Sequence, residues 1–124
     1  MDELANRTAQ QVLDDHLSLA QARKIDEDLE RNYAEDCVVL TVRGKYRGHD
    51  GQRELADLLG REVRDAEYKY ILKLVEDRFG YLEWTADDGN VAIHDGADSY
   101  VVENGKIVMQ TIHYTLNVRD PERM

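Results

Sequence analysis

Cysteine, proline and long apolar runs are scarce in this 124-residue sequence, and each scarcity excludes a class of protein. The single cysteine, Cys37, cannot form an internal disulfide and provides no thiolate cluster for zinc. It precedes the apolar residues 38–40, which indicates a buried structural thiol rather than a nucleophile. The one proline, Pro121, lies beyond the last predicted strand, where it costs no ladder hydrogen bond. No run of about 18 apolar residues occurs, so we expect no membrane-spanning segment.

Basic residues are outnumbered by acidic ones, with 16 Lys and Arg against 26 Asp and Glu and a net charge of −10. This balance argues against nucleic-acid binding, because phosphates favour clusters of lysine and arginine. The basic residues within 43–53 form either a solvated loop and helix start or an anion contact. Residues 1–11 lack the basic start and apolar stretch of a signal peptide, so we expect a cytoplasmic protein.

Hydrophobic periodicity divides the chain into a helical first part and a strand-rich second part. Apolar residues at helical spacing predict helices over about 4–22 and 24–34, and Asp50 can cap a third. His16 lies beside the apolar stripe of the first helix, which is typical of a packed or boundary histidine. Strands are expected near 36–42, 66–76, 79–87, 91–103 and 106–118. The length fits one domain over residues 1–124.

The last predicted strand carries apolar residues on both faces. One face would hold Ile107 and Met109, and the other Ile112, Tyr114 and Leu116. Helices can cover only one side of the sheet, so the other side needs a different cover. A second copy of the chain is the simplest one, and we expect a homodimer formed through the outer face of the sheet.

Three segments carry a resemblance to a known superfamily: YAEDCVVLTVRGKYRGHDG, LEWTADDG and GADSYVVENGKIVMQTIHYTL. Together with the order of elements, they make the chain resemble the nuclear transport factor 2-like superfamily, in its SnoaL-like polyketide cyclase branch. The resemblance implies an α+β, cystatin-like cone: a curved antiparallel sheet wrapped round three N-terminal helices and enclosing a pocket. Its enzymes include cyclases, ketosteroid isomerases, epoxide hydrolases and dehydratases that use no metal, and other members only bind. We therefore expect no metal and no cofactor.

The turn at residues 104–105 decides which side chains face the interior, because a slip of one residue exchanges the two faces of a strand. A two-residue turn would pair Glu103 with Lys106 and place Asp98 opposite Thr111, with His113 nearby. A three-residue turn with a bulge at Gly105 would instead place Asp98 opposite Gln110. The resemblance favours the second arrangement. The expected pocket residues are then Asp98, His94, Tyr100, Gln110, Ile112 and Tyr114, with Trp84 from the neighbouring strand and Tyr33 from the second helix.

Asp98 is the candidate acid, because a carboxyl among aromatic side chains is desolvated and holds its proton more tightly. The resemblance places Asp98 where ketosteroid isomerases carry an oxyanion-hole aspartic acid. The basic aspartate of those enzymes falls near Thr41, and the second acid of cyclases falls near Ile112, so both partners are missing. His94 is the candidate replacement, although four strand residues place it about 13 Å from Asp98.

Three functions fit these residues. The first is an isomerase, cyclase or hydratase that acts on a small, largely apolar carbonyl compound held by Trp84 and Tyr114. The second is a domain that binds a small apolar or aromatic molecule without catalysis. The third is an interaction module whose pocket is filled by its own side chains.

Overall fold

The computed structural model of the protein describes residues 3–123. Three helices and seven strands follow one another with a strand pair between the second and third helices. The helices are α1 (Ala9–Gln21), α2 (Ile25–Asn32) and α3 (Gly48–Glu62), with short 3-10 turns at Glu3–Asn6 and Pro121–Arg123. The strands are β1 (Tyr33–Thr41), β2 (Gly44–Arg47), β3 (Glu67–Glu76), β4 (Phe79–Asp87), β5 (Val91–Glu103), β6 (Lys106–His113) and β7 (Asn117–Val118).

Helix α1 begins later than predicted because Thr8 caps it. The Thr8 hydroxyl accepts a hydrogen bond from the backbone N–H of Gln11 at 3.2 Å, and the Gln11 side chain accepts one from the Thr8 backbone at 2.9 Å. This reciprocal pair satisfies two backbone donors that the first turn of a helix leaves free. Leu4 therefore lies in a separate short turn rather than in the helix. The apolar stripe of α1, with Val12, Leu13 and Leu17, is buried against the sheet.

The sheet has the strand order β2-β1-β6-β5-β4-β3, with β7 added beside β5. Its neighbours are antiparallel except β1 and β6, which are parallel, so the sheet is mixed and the prediction of an antiparallel sheet is wrong at this position. The cause is the long connection between these strands, which spans α3 and β3–β5 and brings the chain back in the same direction.

Irregular register bends the sheet into an open cone. Extra residues interrupt the pairing of β3 with β4, of β4 with β5 and of β5 with β6. Such bulges bend a strand and increase its twist. The concave face packs on α1 and α2, and the core between them holds Leu13, Leu29, Leu82 and Ile107.

The hairpin between β5 and β6 has a two-residue turn, so the predicted three-residue turn is wrong. Asn104 and Gly105 both have positive φ, at 51° and 72°, and Glu103 pairs with Lys106. Two successive positive φ values are the signature of a hairpin turn that matches strand twist. A bulge at Val108 then adds one residue to β6. The added residue puts Asp98, Gln110 and Ile112 on one face, as predicted. The predicted pairing is wrong, because Asp98 lies opposite Ile112 and Gln110 lies opposite Tyr100.

Two further segments differ from the predictions. The residues round Tyr46, predicted as a turn, form β2, which pairs with β1. The last predicted strand ends at His113, and β7 continues after a break to pair with the start of β5, where Val118 lies opposite Val91.

Candidate functional site

A cavity of about 650 Å³ lies between the helices and the concave face of the sheet. This volume falls in the range of small-ligand pockets, about 300–1,000 Å³. Its walls are mostly apolar and aromatic, and β3, β4 and β5 contribute Tyr68, Trp84 and Tyr100. The buried polar groups in the walls are few: His16, Asp28, Gln52, Asp98 and Gln110.

Asp98 projects into this cavity from the middle of β5 and is only 8% exposed. Three side chains donate to its carboxyl group. Trp84 Nε1 donates to Oδ1 at 2.9 Å, while the Tyr100 hydroxyl and Gln110 Nε2 donate to Oδ2 at 2.8 and 3.2 Å. Two of the donors, Trp84 and Gln110, come from the strands on either side of β5. Side chains from three adjacent strands therefore meet at one carboxyl group.

Burial raises the pKa of Asp98 above its ordinary value of 3.8, because desolvation penalises the charged carboxylate. Hydrogen bonds from Trp84 and Tyr100, the nearby His16 and the Gln110 amide act in the opposite direction without cancelling that effect. When Asp98 is protonated it needs an acceptor. An indole N–H and an amide NH₂ can only donate, whereas the Tyr100 hydroxyl can reverse and a ligand oxygen in the cavity can also accept.

Gln110 connects Asp98 to β1 and to α3. Tyr33, predicted to come from the second helix, is the first residue of β1. Its Oε1 atom accepts from the Tyr33 hydroxyl at 2.7 Å and from Gln52 Nε2 at 3.5 Å, which turns the amide nitrogen towards Asp98. Gln52 also reaches Cys37 Sγ at 4.0 Å. Cys37 is buried, as predicted, and desolvation raises the pKa of its thiol.

His16 and Asp28 form a second buried pair beside the first. His16 Nδ1 lies 2.8 Å from Asp28 Oδ2, and Asn32 donates to the other oxygen of Asp28 at 2.9 Å. When Asp28 is ionised it can only accept, so Nδ1 carries a proton; in the neutral form of the ring Nε2 then has a lone pair. The Tyr33 oxygen lies 3.4 Å from Nε2 but gives its proton to Gln110. In that neutral form, Nε2 is the imidazole nitrogen left to accept a hydrogen bond at the cavity wall.

Trp84 occupies its position because Gly96 lies opposite it on β5. A Cβ atom at Gly96 would overlap the indole ring, so only glycine allows Trp84 to lie flat against the strand. Tyr68 and Tyr114 both pack on the indole, with ring centroids 5.7 and 6.1 Å from it.

Six of the predicted pocket residues line the cavity: Tyr33, Trp84, Asp98, Tyr100, Gln110 and Ile112. Tyr114 does not, because it is buried behind Trp84 and its hydroxyl donates to Glu62 at 2.5 Å. Burial and the Glu62 carboxylate raise the pKa of Tyr114 to about 12. Glu62 also pairs with Arg43, whose guanidinium lies 5.2 Å from the Tyr114 ring.

His94 is exposed, and the prediction that it faces the interior is wrong. The register of β4 and β5 shifts between Trp84 and Ala86, so Ile93 rather than His94 takes the inward position. His113 is also exposed, and it lies 3.3 Å from Asp95 on the outside. The two-residue turn therefore does not bring His113 into the cavity, because the bulge at Val108 intervenes.

The site residues missed by the sequence analysis are His16, Asp28 and Gln52. His16 is four residues from Ala20 and adjacent to Leu17, both cavity residues, so its helical position was the available signal. Asp28 stands in an acidic stretch that resembles a solvated helix face, and only the tertiary pairing with His16 reveals its role.

No protein-family model matches the sequence, and no curated protein matches it either. Solved structures do match. A protein from Mesorhizobium loti, described as NTF2-like and of unknown function, aligns with a TM-score of 0.72 and 16% identity over 86% of this chain and 90% of that one. A SnoaL-like protein of unknown function from Burkholderia thailandensis aligns with a TM-score of 0.68 and 16% identity over 86% and 93%. TerC, co-crystallised with polyporic acid, aligns with a TM-score of 0.72 and 12% identity over 86% and 91%.

Structural similarity at such low sequence identity establishes the fold and nothing finer. The chain has the nuclear transport factor 2-like cone fold, and the prediction of that fold from the sequence is confirmed.

Proposed function

We propose that the protein binds a small, largely apolar carbonyl compound in the cavity and acts on it as a cofactor-independent isomerase, cyclase or hydratase. The observation that carries this proposal is the buried carboxyl group of Asp98, with its raised pKa, in the wall of an otherwise apolar and aromatic cavity. Perturbed titratable groups inside a cavity are candidates for acid–base chemistry.

Asp98 is the proposed acid and His16 the proposed base. His16 Nε2 removes a proton from a carbon next to the substrate carbonyl, and Asp98 donates a hydrogen bond to the carbonyl oxygen as negative charge develops there. Asp28 holds the His16 ring and stabilises the imidazolium that forms. The proton on Nε2 then returns to a different carbon of the substrate. His16 takes the part that the sequence analysis gave to His94.

The neighbouring structures support a ligand-binding use of the fold. TerC was co-crystallised with polyporic acid, and its fold is the fold of this chain. The volume of the cavity argues against the third hypothesis, a pocket filled by its own side chains.

Substitution of Asp98 tests the proposed chemistry. A panel of β,γ-unsaturated ketones, followed by the absorbance of the conjugated product, should reveal turnover by the unchanged protein. Asp98→Asn and His16→Gln should each reduce that turnover by about 10²–10⁴-fold, the usual contribution of one acid–base group. His94→Gln is the matched control and should leave the rate unchanged. Equal rates in the Asp98→Asn variant would refute the proposal.

A non-catalytic binding domain is the second candidate, and one observation favours it. Both oxygens of Asp98 already accept hydrogen bonds from the protein, an arrangement that also suits a structural carboxylate. Native mass spectrometry of freshly purified protein separates the two candidates when combined with the turnover assay. A retained ligand that is recovered unchanged, together with only a modest loss of affinity in Asp98→Asn, would favour binding alone.

We also propose that two copies associate through the outer face of the sheet. Two rows of side chains cross this face: Phe79, Val101, Met109 and Val38, then Leu74, Tyr81, Ser99, Thr111 and Leu40. Charged residues stand only at their ends, with Glu76 next to Phe79 on β3 and with Arg47 and Lys45 on β2. In a chain with 34% charged residues, a surface whose centre carries no charge suits a second copy, because each copy presents the same rows. Phe79 and Leu74 are 48% and 56% exposed in the single chain.

A further inference from the structure

The side chains at the opening of the cavity carry an excess of positive charge. The opening lies where the end of α1 and the start of α2 approach the end of α3. Among the described residues that line the cavity, four exposed cations, Arg23, Lys24, Arg61 and Arg64, accompany one exposed carboxylate, Asp65.

One of these cations is already neutralised. Arg23 pairs with Asp65 at 3.1 Å and donates to the carbonyl oxygen of Ala66 at 3.2 Å. The side-chain nitrogens of Lys24, Arg61 and Arg64 form no ion pair within residues 3–123, although the backbone N–H of Arg64 donates to the Asp88 carboxylate at 3.1 Å. The opening thus presents three positive charges on a chain whose net charge is −10.

The interior offers no lysine or arginine to an anionic group. Its two carboxyl groups, Asp28 and Asp98, are buried and hydrogen-bonded, and neither has an arginine or lysine partner. An anionic group would therefore be unfavourable deep in the cavity, next to these carboxyls and away from water. At the opening it would keep its contact with water and meet the three cations. Charge of one sign round an apolar cleft also concentrates ligands of the other sign.

We infer that the ligand of this cavity is an organic anion with an apolar, ring-bearing body. The body enters the cavity first, and a carboxylate, sulfonate or phosphate group remains at the opening beside Lys24, Arg61 and Arg64. This inference rests on the proposed binding of a small molecule in the cavity and adds its charge and its orientation.

Two fluorescent probes that share a body and differ in charge test the inference. Anilinonaphthalene sulfonate is anionic, and N-phenylnaphthylamine is its uncharged counterpart. The triple variant Lys24→Gln, Arg61→Gln, Arg64→Gln should bind the anionic probe at least about fivefold more weakly, since each exposed ion pair contributes modestly. The uncharged probe should bind within about twofold of the unchanged protein, because the apolar walls remain. Added salt should weaken binding of the anionic probe to the unchanged protein and have little effect on the variant.

A matched triple variant controls for net charge. Lys45→Gln, Arg47→Gln, Lys69→Gln removes the same charge from exposed positions that do not line the cavity, and it should leave both probes unaffected. Ala20→Phe, which reduces the cavity itself, should weaken both probes and so locates them inside.

The outcomes separate this inference from the proposed function. If both probes bind but the two triple variants behave alike, the anionic ligand is wrong and the cavity remains a binding site. If neither probe binds, or if Ala20→Phe affects neither, the proposal of small-molecule binding fails and the inference fails with it.

Discussion

The inner and outer faces of the sheet are made by the same strands, β3–β6, yet they hold opposite kinds of side chain. On the inner face, Asp98 and Gln110 are buried and hydrogen-bonded to each other, and Gln110 is also bonded to Tyr33 of β1 and Gln52 of α3. On the outer face, Leu74 and Phe79 are apolar and about half exposed. Polar groups usually face water and apolar groups usually avoid it.

Each face therefore indicates a use beyond folding. No buried side-chain nitrogen or oxygen in residues 3–123 lacks a hydrogen-bond partner, so the inner network is complete and orients its groups firmly. Across the two rows of the outer face the polar residues are few and none is buried: Tyr81, Ser99 and Thr111. The first arrangement suits chemistry or ligand recognition, and the second suits a flat protein partner.

Loss of Gln110 should have the largest effect on stability, because this residue joins Asp98 to Tyr33 of β1 and Gln52 of α3. Gln110→Leu leaves the Tyr33 hydroxyl without its acceptor and Asp98 with one donor fewer. We expect the free energy of unfolding to fall by about 2–4 kcal/mol, measured by urea denaturation. Gln10→Leu, an exposed change of the same type on α1, should stay within about 0.5 kcal/mol. Similar losses in both variants would mean that the network contributes nothing special.

A methyl group under Trp84 should have the next largest effect. Gly96→Ala forces the indole away from the strand and disturbs its hydrogen bond to Asp98. Overpacking of this kind costs about 1–3 kcal/mol, and the emission of this single tryptophan should shift as the ring moves. Gly60→Ala is the matched control, since a Cβ atom there meets nothing within 4 Å and lies in helix α3. It should stabilise the protein by about 0.5–1 kcal/mol, and a loss there would contradict the argument from space.

The inner face also shows how far the sequence analysis reached. Alternation along β5 and β6 predicted that Asp98, Gln110 and Ile112 share the interior, and they do. That result depended on two differences from the prediction. The shorter turn alone would have exchanged the two faces, and the extra residue Val108 exchanges them again, so the faces agree although Asp98 pairs with Ile112 rather than with Gln110. A bulge depends on tertiary packing and left no clear sign in the sequence.

Near the start of β5 the prediction of the inward face failed. The register of β4 and β5 shifts there, and the His94 side chain faces outwards as a result. Local pattern predicts faces well until a strand changes register. The pairing of His16 with Asp28 joins two helices, and no spacing rule along one element could have predicted it.

The contribution of Asp98 to the free energy of unfolding should depend on pH in the opposite sense to that of an exposed carboxylate. Because burial raises the pKa of Asp98 in the folded state, its protonated form is the one that folding favours. Its contribution to stability is fully present below pH 3.8 and is lost as the pH rises through the folded pKa. The stability of the unchanged protein relative to Asp98→Asn should therefore decrease as the pH is raised from that value.

Asp87 provides the matched control with the opposite sign. Arg119 lowers the pKa of Asp87 to about 2, so its contribution is present above pH 3.8 and is lost as the pH falls. Relative to Asp87→Asn, the unchanged protein should lose stability on acidification. The same slope for both variants would mean that Asp98 titrates as an ordinary surface carboxylate.

The smallest effect on stability is expected on the outer face, although the same change should alter assembly. Leu74→Glu places one charge on the outer face of each copy, so a dimer formed through this face would bring two like charges together. Because Leu74 is 56% exposed in the single chain, the unfolding free energy of the monomer should change by no more than about 0.5 kcal/mol.

Light scattering after size-exclusion chromatography should report a dimer for the unchanged protein and a monomer for the variant. Val42→Glu adds the same charge at a position that is 50% exposed and outside the two rows, and it should remain dimeric. A monomeric unchanged protein, or a dimeric Leu74→Glu variant, would show that the apolar outer face has some other use.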